Sequence, residues 1–95
     1  MTQGEGRRRQ GTLRWKRMVW PYIWTSYDDG RMDVEVRDAI CPLCRGRASQ
    51  SQQGDKVLLE CRRCNISEMY SGFASYEDLK AHVAGLVLEE LKGTA

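Results

Sequence analysis

Cys41-Pro42-Leu43-Cys44 and, after sixteen intervening residues, Cys61-Arg62-Arg63-Cys64 decide how this chain of 95 residues is read. Each C-x-x-C pair forms a tight turn that offers two sulfurs, and two such turns at this separation supply the four corners of a tetrahedral thiolate site for one zinc ion. The chain has four cysteines, and the motif uses all of them. A disulfide framework would need an oxidising compartment. Residues 1–11 carry no apolar signal core, so the chain is expected to be cytoplasmic with reduced thiols. A thioredoxin-like redox pair would need a βαβ unit, and the pattern offers none. Iron uses the same four ligands in rubredoxin-like electron carriers, and softness and geometry do not separate the two metals. Zinc is the first reading and iron the second.

Residues 41–64 resemble a zinc ribbon, in which two metal-binding knuckles sit at the ends of two β-hairpins. The resemblance implies a fold, one that serves many unrelated roles. In the common knuckle a Gly follows the second Cys, where the backbone turns left-handed. Here Arg45 and Asn65 take that place, with Gly46 one residue later in the first knuckle. Asn tolerates the conformation and Arg does so less readily, so the first knuckle is expected to turn differently. Ribbons resembling transcript-cleavage factors work through an acidic pair at the hairpin tip. This tip offers Asp55 alone among glutamines, which argues against that chemistry. Ribosomal ribbons are much more basic. The phrase Gly54-Asp55-Lys56-Val57 is similar to the N-terminal ribbon of general transcription factor B proteins.

A chain of this length makes one small domain with little core, and the metal is its staple. Structural zinc is worth on the order of 10 kcal/mol or more of apparent binding energy, so the ribbon is expected to unfold without it. The formal net charge is +2, which four thiolates around one divalent ion reduce to about zero. Charge is segregated: net +5 over residues 1–20, −3 over 21–40, +3 over 41–64 and −3 over 65–95. That excludes a uniformly basic nucleic-acid coat and leaves room for a local basic patch. No apolar run is long enough for a bilayer, and no membrane role is expected.

Met1 to Thr12 reads as a disordered basic arm, with Arg7, Arg8 and Arg9 among Gly and Gln. Residues 13–95 read as a single zinc-ribbon domain with a hairpin over 22–37, the ribbon over 38–70 and a helix over 75–91. The fold class is thus a small metal-stabilised β+α ribbon with an N-terminal β-hairpin and a C-terminal α-helix. Leu13 to Trp20 interleaves Arg14, Lys16 and Arg17 with Trp15 and Trp20. Such segments grip unpaired bases and phosphates, but indoles also pack, and packing is favoured for at least one Trp. Pro21 forbids a helix through this region. Met32, Val34 and Val36 alternate with Asp33, Glu35 and Arg37 as a half-buried strand after the turn Tyr27-Asp28-Asp29-Gly30. Arg45, Arg47, Arg62 and Arg63 surround the knuckles, where they balance thiolate charge or bind phosphate. Ser75 caps the final helix, whose apolar stripe is Leu79, Val83, Leu86, Val87 and Leu91. His82 reads as an edge residue and not as a ligand.

No nucleophile, base and orienting group can be assembled, and four cysteine ligands leave no open position for water, so no enzyme is expected. The first functional expectation is nucleic-acid binding, of unspecified type, through Arg7, Arg8, Arg9, Arg14, Trp15, Lys16 and Arg17. The alternative is an adapter or inhibitor that docks on a larger protein, or dimerises, through the C-terminal helix or the Trp-rich hairpin. An iron electron carrier ranks third.

Overall fold

The chain runs β1 (Arg7–Trp15), β2 (Met18–Ser26), β3 (Met32–Val36), β4 (Ser49–Gln53), β5 (Lys56–Cys61), β6 (Ile66–Ser71) and α1 (Tyr76–Gly93) in the computed structural model, which describes residues 7–93. The strands form two antiparallel three-stranded sheets, β1-β2-β3 and β4-β5-β6.

The basic arm expected over residues 1–12 is corrected from Arg7 onward; residues 1–6 lie outside the described part. Arg7 to Thr12 belong to a strand that pairs with β2 from Arg7↔Ser26 to Trp15↔Met18. Little of this strand is buried, so the backbone ladder and cross-strand pairs hold it. The Arg9 guanidinium lies 5.5 Å above the Trp24 ring. The Tyr22 ring covers Gly11 so closely that a Cβ there would stand 2.6 Å from the tyrosine oxygen. Lys16 and Arg17 form the turn with φ of 51° and 65°, left-handed values that Asn-Gly adopts without strain. The hairpin therefore carries no turn signal in its sequence.

Pro21 sits inside the central strand of this sheet. Its carbonyl accepts the Arg37 N–H at 2.8 Å, just past the end of β3. The N and C=O of a strand residue face the same edge, so its missing donor points toward β3's end and leaves the ladder to β1 intact.

The two sheets are joined through Ile40, which bridges Val19 on one side and Arg47 on the other. Val19 N–H donates to Ile40 O at 3.1 Å, and Ala48 N–H donates to Ala39 O at 3.0 Å. One core results. Met18, Trp20, Val36 and Ala39 meet Ala48, Val57, Leu59 and Tyr70, and Leu79, Val83 and Val87 of α1 close it. The Trp20 and Tyr70 rings meet edge-on at 6.0 Å, both essentially without exposure. Burial, foremost, raises the pKa of core Tyr70 well above its ordinary value and that of half-buried Tyr76 to about 12. Tyr70 Oη donates to Lys16 O at 2.9 Å, tying β6 to the Lys16-Arg17 turn. Tyr76 Oη accepts the Ala39 N–H at 3.1 Å, tying the helix to the approach to the first knuckle.

Helix α1 starts where its cap directs: Asp78 N–H donates to Ser75 Oγ at 3.1 Å, and Glu77 and Asp78 occupy the first turn. Leu79, Val83 and Val87 recur every fourth residue and are spent inside the molecule, so Val87 is a core residue.

Candidate metal centre

Both knuckles turn alike. Arg45 has φ 64° and Asn65 φ 56°, so the different first knuckle expected from Arg45 does not occur. Local bonds overrule the preference: Cys41 N–H donates to Gly46 O at 2.8 Å, and Arg45 N–H to Cys41 O at 3.0 Å. The Leu43 amide points at Cys41 Sγ and the Gly46 amide at Cys44 Sγ, both at 3.4 Å. These contacts offset the roughly 1 kcal/mol that a left-handed Arg costs.

The four sulfurs lie within 4.8 Å of one another, and Cys44 Sγ is 3.6 Å from Cys61 Sγ. Metal–sulfur bonds of about 2.3 Å in a tetrahedron separate sulfurs by about 3.8 Å, so the quartet fits one ion with a small closure. The donors are sulfur alone, with Cys41 and Cys61 buried and Cys44 and Cys64 half-buried. Backbone amides, that of Cys44 first, lower the Cys41 thiol pKa to about 7, while burial first of all pushes Cys64 up to about 12. A metal ion held by these four sulfurs would favour their thiolate forms and displace their protons.

Around the knuckles, Arg47, Arg62 and Arg63 line a cleft of about 220 Å³ beside Cys44 and Cys61. Arg47 Nε also lies 3.6 Å from an Asp38 carboxylate oxygen. His82 packs between Trp15 and Phe73, at 5.4 and 5.3 Å, apart from the sulfurs.

The seven residues expected to touch nucleic acid do not form one patch. Side chains alternate along β1, so Arg7, Arg9 and Trp15 share one face while Arg8 and Arg14 occupy the other. Arg7 to Arg9 lie at the end opposite Lys16 and Arg17, separated by about 20 Å of strand in a molecule 49 Å long. Trp15 stands 5.3 Å from Tyr70 and 6.5 Å from Trp20, half-buried beneath Lys16, and is packing material.

Two residues carry no site role of their own in the sequence reading. Trp24 is half-buried beyond the core cluster, on the same face as Arg7 and Arg9. Period two from Trp20 would have pointed to it once β1 was recognised as a strand. Leu43 is 70% exposed between two cysteines, and its central position in a C-x-x-C turn was the available signal. Among the described residues no helix is long and apolar enough to cross a membrane. The fold and site therefore define a small β+α protein with a four-cysteine cluster able to hold a metal ion. The chain matches no protein-family model, no curated protein and no solved structure.

Proposed function

We propose that the protein is a non-catalytic zinc-ribbon module that binds nucleic acid through the outer part of its first sheet. The observation that carries this reading is Trp24 outside the core, with Arg9 5.5 Å above it and Arg7 on the same face. An indole beside guanidinium groups stacks on an unpaired base while the cations neutralise adjoining phosphates. One zinc ion, held by Cys41, Cys44, Cys61 and Cys64, supplies rigidity and no reaction. Relative to the expectation from sequence, Trp24 takes the stacking role of Trp15, and Arg7 and Arg9 carry the electrostatic share.

The test is a salt titration of full-length, zinc-verified protein against labelled single-stranded and duplex DNA and RNA. Arg7→Ala/Arg9→Ala should flatten the logarithmic salt slope for single strands by about 1.4. Trp24→Ala should weaken single-strand binding about tenfold or more and leave duplex binding nearly unchanged. Metal-loaded protein that ignores every nucleic acid at low salt would sink the reading. A red protein as purified would replace zinc by iron and revive the electron carrier.

A further inference from the structure

We propose that the cleft between the first knuckle and the β1–β2 turn is a docking site for an acidic segment of a partner protein, anchored by one large apolar side chain. Pro42, Leu43 and Ile66 form its floor, Arg14 and Arg17 its rim, and its volume is about 320 Å³. Among the described residues the exposed large hydrophobics are Leu43 at 70% and Met69 at 38%. Leu43 is therefore the most accessible of them, and it lies on the rigid turn between two cysteines.

Charge selects the occupant. Arg14 and Arg17 flank the floor, and Lys16 and Arg45 are exposed on the adjoining turns. Glu68 stands close to this rim, 3.8 Å from Arg17 Nε. That Arg17 side chain is 70% exposed, so the pair is weak and the guanidinium remains available. Lys16, Arg17 and Arg45 all sit at positive φ, where Asn or Gly would relieve strain. Cations at strained positions point to a use for their charge. The floor is aliphatic and offers no flat ring for a base, which separates it from the Trp24 face. An apolar centre with a cationic rim fits a hydrophobic residue flanked by Asp and Glu. The cleft and the Trp24 face lie toward opposite ends of β1, so one molecule could hold nucleic acid and a partner protein together.

The test selects a displayed library of short random peptides on the full-length, metal-loaded protein, with counter-selection on its Leu43→Glu variant. Leu43 is exposed, so that variant should retain its metal and its circular dichroism. Recovered peptides should place Leu, Phe or Trp among Asp and Glu. Their affinity should fall about tenfold or more in Leu43→Glu and in Arg14→Glu/Arg17→Glu. Amide shifts should centre on Leu43, Ile66, Arg14 and Arg17 and spare Trp24. The proposal is overturned by a library that yields no Leu43-dependent peptide, or only basic or apolar-free ones. It is equally overturned by oligonucleotides that shift the same amides more strongly than the peptides do. Wild-type self-association abolished by Leu43→Glu would assign the cleft to a second copy and overturn it too. Loss of nucleic-acid binding in Trp24→Ala leaves these readouts untouched, so the two proposals fail separately.

Discussion

The two sheets have the same strand count and pairing sense yet are held by different means. In β4-β5-β6 the outer strand β4 is exposed at every residue, and the sheet ends in the cysteine knuckles. In β1-β2-β3 the central strand opens with three buried residues, Met18, Val19 and Trp20. One sheet carries the four-cysteine cluster able to hold a metal ion, and the other carries most of the aromatic packing. They share a core through Trp20 and Tyr70, so neither should survive alone.

Metal removal should have the largest effect. If the cluster holds zinc as proposed, chelation or Cys41→Ser should remove stabilisation on the order of 10 kcal/mol, comparable with the whole stability of a small domain. Far-ultraviolet circular dichroism and tryptophan fluorescence should lose their native signals in one coincident transition. Native-like fluorescence after the second sheet is lost would mean that the first sheet stands alone. Next in size is Trp20→Ala, which empties a site with no exposure and should cost about 3–5 kcal/mol in metal-loaded protein. If thermal unfolding moved by only a degree or two, the aromatic half would matter less than its burial implies.

Alkaline pH offers a subtler probe of the joint. Burial raises the pKa of Tyr70 above its ordinary value and that of Tyr76 to about 12. A phenol whose pKa is higher folded than unfolded stabilises the fold fully below the unfolded value near 10. That contribution is lost as pH rises through the folded value. The melting temperature should therefore fall above about pH 10, less steeply in Tyr76→Phe. A flat melting temperature across that window would argue that neither hydroxyl is buried in solution.

How much was legible follows the same division. The cysteine spacing identified the cluster able to hold a metal ion, and period two over Met32 to Val36 and the stripe of α1 identified β3 and the helix. Strand β1 was missed because Arg7-Arg8-Arg9-Gln10 has no apolar alternation of its own and pairs because β2 offers it an edge. The packing of Trp15 and the place of Trp24 beyond the core both depend on that register. Arg45 was read from propensity, and the amide-to-sulfur contacts of the knuckle overrode it.

The smallest effect separates strain from use. At the tip of the β4–β5 hairpin Gly54 supplies φ 65° at no steric cost, whereas the β1–β2 turn demands 51° and 65° from Lys16 and Arg17. Lys16→Asn/Arg17→Gly should therefore raise stability by about 1 kcal/mol, read as a higher melting temperature of metal-loaded protein. The Tyr70 hydroxyl bonds to the Lys16 carbonyl and not to its side chain, so that tie survives the exchange. Lys16 Nζ does lie 5.6 Å over the Trp15 ring and is lost with it, which offsets part of the gain. A stabilised variant that no longer binds acidic peptides would show that the turn trades stability for charge at the cleft. A destabilised one would mean that Lys16 over Trp15 outweighs the backbone strain, and that the turn belongs to the aromatic core.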